Sequence, residues 1–133
     1  MATVTTATER AAIEQTIQLY IDGASKGDAA KLKEAFHDEA RLFGSISGQR
    51  FDMPIALMIQ EVTVNPLDSD GGYSARVVSV EQTSDAAVVT LEESGCWGNL
   101  SFVDYFTLAK FDGAWKIVNK TFIHTGGEPP AAA

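Results

Sequence analysis

The chain has 133 residues, 45% of them hydrophobic and 21% charged, the makeup of one globular domain able to build its own core. Ten Lys and Arg stand against 18 Asp and Glu, and the net charge of −8 excludes a phosphate backbone or an anionic membrane surface as the main partner. No basic run offsets that balance, and no window approaches the roughly 18 apolar residues of a membrane span, so a cytoplasmic protein touching neither nucleic acid nor membrane is expected.

The ends, 1–6 and 127–133, read as frayed tails of a single domain spanning 1–133. "TATE", Thr6 to Glu9, is a capping box for a first helix, along which Ile13, Ile17, Tyr20, Ile21 and Ala24 recur as one apolar stripe. Gly27 stops that helix. Asp28 caps a short second one, "DAAKLKEAF", with Leu32, Ala35 and Phe36 facing inward. "ARLFGSISGQRF" then reads as a strand, a turn around Ser47–Gly48 and a return, and Pro54 opens a third helix in "MPIALMIQEV". "NPLDSDGG" is a loop. After it the pattern takes period two, giving four strands: about Tyr73–Thr83, Ala86–Cys96, Leu100–Phe111 and Ala114–His124. Helices first and an antiparallel meander last make an α+β plan, the helices covering one sheet face. Cys96 is the single cysteine and has no disulfide partner, which fits a reducing compartment.

Turn chemistry fixes the strand registers. Asp112–Gly113 is a two-residue hairpin turn that pairs Phe111 with Ala114. Unbroken alternation then pairs Leu108 with Ile117, Phe106 with Asn119 and Asp104 with Thr121. A turn at Ser84–Asp85 pairs Thr83 with Ala86, which sets Val80 against Val89, Val78 against Leu91 and Arg76 against Glu93. Joining the apolar faces puts Leu91 opposite Phe106 and Glu93 opposite Asp104. The expected result is an inward polar row of Arg76, Glu93, Asp104 and Thr121, although a one-residue slip would turn a strand's members outward. Inward carboxylates are costly unless paired or wet, so either Arg76 balances them or they line a solvated cavity. On the outer face, Val77, Val88, Val103, Tyr105, Val118 and Phe122 form a semi-apolar surface, from which a homodimer through the outer sheet face is expected.

The order of elements, with "GDAAKLKEAFHDEARLFG" after the first helix and "VDYFTLAKFDGAWKIVNKTF" near the end, resembles the nuclear transport factor 2-like superfamily over about Glu9 to Phe122. That resemblance implies a cone-shaped, cystatin-like α+β barrel, a curved sheet wrapped around N-terminal helices and often enclosing a pocket. Ketosteroid isomerases, SnoaL-type polyketide cyclases and scytalone dehydratases share it, and the nearest subgroup is the bacterial one described as putative lumazine-binding. Laid on ketosteroid isomerase, the oxyanion tyrosine falls on Tyr20 and the second oxyanion donor, in an "Asp-aromatic-Phe" strand, on Asp104. The general base falls on Gly44, which carries no proton-abstracting group, so steroid isomerisation by that route is not expected.

Three functions stay open. The first is a binding protein for a small hydrophobic or aromatic molecule, with a pocket between sheet and helices. Its walls would be Phe36, Phe43, Trp97 and Phe106, and its polar anchors Tyr20, Asp104, Glu93, Arg76 and Asn119. The second is an isomerase, cyclase or dehydratase in which Asp104, Tyr20 or His37 handles protons. The third is a dimeric interaction protein with a filled cavity. His37 is alternatively a surface residue at a helix end, and Tyr20 a core tyrosine. No cofactor is expected because there is no Gly-rich phosphate loop, and no metal because the two histidines lack ligand spacing. With Arg76 across the sheet, Asp104 is expected to be an ionised anchor.

Overall fold

A computed structural model describes residues 7–128. Helix α1 (Ala7–Lys26) runs into α2 (Ala29–Ala35), followed by β1 (Phe36–Ile46), β2 (Gln49–Pro54), α3 (Ile55–Val64) and four strands, β3 (Ser74–Thr83), β4 (Ala86–Cys96), β5 (Leu100–Phe111) and β6 (Ala114–Gly126). Gly27 ends α1 at a φ of 73°, where a side chain would be strained, and the Asp28 carboxylate accepts the Lys31 N–H at 3.2 Å to start α2. Thr6 of the expected capping box lies outside the described residues, as do 1–5 and 129–133 of the expected tails. Gly127 and Glu128 are placed against Asn99, whose side-chain amide donates to the Glu128 carbonyl. Strand β1 begins at Phe36, earlier than the sequence pattern suggests, so His37 and Asp38 are strand residues and not a helix-ending turn.

The six strands lie in the order β2-β1-β6-β5-β4-β3, with β1 parallel to β6 and every other pair antiparallel. The sheet does not close into a barrel; β2 and β3 remain its edges. Ile13, Ile17, Tyr20 and Ala24 of α1 are buried, and the Tyr20 ring meets Phe106 of β5 edge-on at 4.9 Å, so the helices seat on the inner face. No helix among the described residues is long and apolar enough to cross a membrane.

Both hairpin turns of the meander match the sequence reading, Thr83 opposite Ala86 and Phe111 opposite Ala114. Beyond them the registers break. An extra residue, Val78, sits in β3 between the Val77–Leu91 and Ser79–Thr90 pairs, and another, Val118, sits in β6 between the Ile117–Leu108 and Asn119–Thr107 pairs. Each bulge reverses the facing of the residues on its far side from the turn. Arg76 therefore points out opposite Glu92, and Asn119 and Thr121 point out while Lys120 and Phe122 turn in. Glu93 lies opposite Phe102, and Asp104 between Leu91 and Phe122, yet both acids still face inward. The outer apolar face is accordingly Val78, Val88, Val103, Tyr105 and Ile123, not Val77 and Phe122.

Gly44 of β1 sits opposite Phe122 on the inner face, and a Cβ there would come 2.4 Å from the Phe122 ring. Overpacking of that kind destabilises a core, so Gly44→Ala should lower the unfolding free energy by about 1–3 kcal/mol in urea titration. A change within about 0.5 kcal/mol, the range of an indifferent surface site, would contradict this packing.

Candidate functional site

Four elements bring polar groups to one buried place. Glu93 of β4 is 3% exposed and receives two phenol hydroxyls. Tyr20 of α1 donates to its Oε1 at 3.0 Å, and Tyr73, just before β3, donates to its Oε2 at 2.6 Å. Two charge-assisted donors of that length suit a carboxylate held away from water. Asp104 of β5 is fully buried beside it. Neither Asp104 oxygen has a hydrogen-bond partner among the described residues.

Lys120 of β6 completes the group. Its Nζ lies 3.9 Å from Asp104 Oδ1, over the Tyr20 ring at 5.2 Å and the Phe122 ring at 5.1 Å. Burial, and then the charge of Glu93, hold the Asp104 carboxyl well above the usual carboxylate range; the Lys120 ammonium pulls the other way and is outweighed. The direction is opposite to that expected from an inward Arg76, which the structure places on the outer face. Burial first, and Glu93 next, also push the Tyr20 and Tyr73 hydroxyls up, which keeps both as donors. The buried Cys96 thiol is pushed up for the same reasons and lacks the thiolate that a nucleophile needs.

This cluster forms the closed end of a cavity of about 90 Å³ between α1, α3 and the sheet, where Tyr20, Glu93 and Lys120 reach the lumen. Leu42, Met58, Val62, Leu67 and Phe102 make its apolar walls with Phe122. Toward solvent the lining becomes Ile46, Phe51, Met53, Glu61 and Trp97. Trp97 is locked at this mouth in the left-handed region (φ 52°), its backbone N–H on the Leu67 carbonyl at 2.7 Å and its indole N–H on the Asn65 carbonyl at 3.0 Å. Asp104 lies behind Glu93 and Lys120 and is not part of the wall.

Of the residues singled out in the sequence, Tyr20, Glu93, Asp104 and Trp97 come together. Phe36 and Phe106 pack on Tyr20 as buried core behind the site. Arg76 is exposed and paired with Glu92 at 2.6 Å, because the Val78 bulge turns it out. Asn119 is turned out by the Val118 bulge and accepts from the Thr121 hydroxyl at 2.8 Å. Phe43 alternates with the inward Leu42 and lies on the outer face near Arg41. The His37 ring lies tilted beside Phe111 at 5.3 Å, and its Nδ1 accepts the Glu39 N–H; it lines a separate open groove between α2 and α3, away from the acids.

Lys120 and Tyr73 escaped the sequence reading. One signal was present for Lys120: the large inward residues change parity between Ile117 and Phe122, which unbroken alternation cannot do. Adjacent Val77 and Val78 carry the same mark in β3.

A family model described as "Putative lumazine-binding" matches residues 8–123. A curated relative, "Aldolase FrzH" of Cladobotryum sp, is 25% identical over 122 residues, 92% of this chain and 96% of the relative. Among solved structures, an NTF2-like protein of unknown function from Methylobacillus flagellatus KT superposes with a TM-score of 0.81 at 27% identity, over 90% of this chain and 94% of that one. A cystatin-like fold protein from Burkholderia xenovorans LB400, at a TM-score of 0.72, 18% identity and coverage of 97% and 100%, shares the fold.

Because Asp104 holds its proton more tightly folded than unfolded, the native state carries the extra proton above the ordinary carboxylate range. Stability then falls as pH rises from about 4 toward the folded-state pKa. Asp104→Asn keeps a donor toward Glu93 but cannot ionise. Between pH 5 and 8 the wild type should lose on the order of 1 kcal/mol or more relative to this variant in chemical denaturation. Parallel pH dependences would show that Asp104 has no raised pKa.

Proposed function

We propose that this chain, which belongs to the Putative lumazine-binding family, binds a small aromatic or hydrophobic molecule in the cavity beneath Trp97. The observation that carries this reading is the grading of that cavity, apolar along its walls and closed by Tyr20, Glu93 and Lys120 at its inner end. Ligand sites have this character, an apolar lining with few convergent polar groups that fix orientation. The alternative of an interior filled by side chains remains as the outcome in which no ligand is found.

A second reading is favoured by the polar end itself and by the likeness to an aldolase. A carboxylate beside an ammonium can take a proton from carbon and stabilise the oxyanion that forms, the elements of acid–base chemistry on a carbonyl compound. Glu93 would be the base and Lys120 the stabiliser, with Asp104 as a positioning residue behind them. His37 has no part in it.

The outer sheet face is proposed as the seat of a homodimer. Val78, Val88, Tyr105 and Ile123 are exposed there among Thr90, Thr107 and Thr121, with Glu81 opposite Val88 and the Arg76–Glu92 pair in line with Val103 and Ile123. The apolar residues would form the centre of such an interface and these charges its rim.

Native mass spectrometry of the full chain isolated from its source should show an adduct of small-molecule mass, absent from Met58→Trp, which fills the cavity. A bare chain mass in both would remove the binding reading. Exchange of α-protons of small ketones in deuterated buffer should drop by about 100-fold or more in Glu93→Gln if the second reading holds; an equal rate would exclude Glu93 as base. Sedimentation at micromolar concentration should give twice the 14.2 kDa chain mass, reverting to monomer in Val88→Glu/Tyr105→Glu. A 14.2 kDa species alone would exclude the dimer.

A further inference from the structure

Lys120 brings a buried cation into this interior, next to the Asp104 carboxyl, whose two oxygens have no hydrogen-bond partner among the described residues. The lysine is 8% exposed and lines the cavity, and none of its N–H donors has a hydrogen-bond acceptor among the described residues. The nearest carboxyl oxygen, Asp104 Oδ1, stands at 3.9 Å, beyond hydrogen-bond distance, and the two flanking rings attract the charge without accepting a bond in their plane. A buried ammonium in that state calls for an acceptor supplied from the lumen.

The chemistry of that acceptor is constrained by its surroundings. Glu93 already takes the Tyr20 and Tyr73 hydroxyls, one on each oxygen. A ligand hydroxyl or amine would have to compete with these two phenols, whereas an acceptor meets no competitor at Lys120. Charge constrains it further. The Glu93 and Asp104 carboxyls already share this end with a single cation, Lys120. Adding an anion would leave a net charge in a site withdrawn from water, where an unpaired ion is strongly disfavoured.

We infer that the occupant of the cavity is an electrically neutral carbonyl compound whose oxygen accepts the Lys120 N–H, and that Lys120 is the residue selecting it. This rests on the binding reading above. It narrows the ligand class to acceptor-only polar groups on an apolar body and excludes carboxylates, and it makes the flanking rings of Tyr20 and Phe122 the parts that aim the ammonium.

Acetophenone, benzoate and ethylbenzene are matched probes for this, differing in the group presented to Lys120. Titrated into the full chain and followed by amide chemical shifts, acetophenone should bind at least tenfold more tightly than either of the others. Lys120→Met should bring acetophenone to the level of ethylbenzene while leaving ethylbenzene unchanged. Benzoate binding as well as acetophenone, or ethylbenzene doing so, would overturn the inference in the wild type alone, without reliance on the variant's folding, and leave the binding reading standing. If none of the three shifts the amides around the cavity, the binding reading fails and the inference fails with it.

Discussion

Glu93 is a carboxylate withdrawn from water, and the interior is arranged around keeping it solvated by protein. Its two oxygens take hydroxyls from Tyr20 on α1 and from Tyr73 ahead of β3, while Asp104 from β5 lies beside it and Lys120 from β6 brings the compensating charge. Each donor comes from a different element. Helix, loop and two strands must therefore all dock before the charge is satisfied, and removing one donor leaves the rest with a buried ion to support. The same arrangement makes the inner end of the cavity polar, so the requirement of folding and the capacity for recognition reside in one set of atoms.

Much of this was legible in the sequence. The helical stripe ending in Tyr20, the turns at Ser84–Asp85 and Asp112–Gly113, and the inward facing of Glu93 and Asp104 followed from periodicity and turn chemistry, which are local. What failed was the assumption that alternation continues unbroken over ten residues. One extra residue at Val78 exchanged Arg76 for Ala75 on the inner face, and one at Val118 exchanged Asn119 for Lys120. The sequence reading thus had a cation in the right role and took it from the wrong strand. Because a strand's side chains have period two, a bulge inverts every later assignment while leaving the strand boundaries almost intact.

The same reversal changes the chemistry of Asp104. An exposed guanidinium on Glu92 does nothing for it, and a lysine at 3.9 Å does too little to overcome its burial and its neighbour's charge. An aldolase is 25% identical to this chain and a protein of unknown function shares its fold, so the fold does not settle what the interior does. What distinguishes this interior is its closed end, where two carboxyl groups, two phenols and a lysine meet in one cluster.

Gly44 has a meaning beyond packing. The sequence resemblance laid the base of a ketosteroid isomerase on this position, and the space a side chain would need here is already filled by Phe122, the ring on which Lys120 rests. An acid at 44 and a phenyl ring at 122 exclude one another. A side chain at 44 needs a smaller residue at 122, and that change in turn opens a gap beside the lysine, so the two positions and the cation are coupled through one ring.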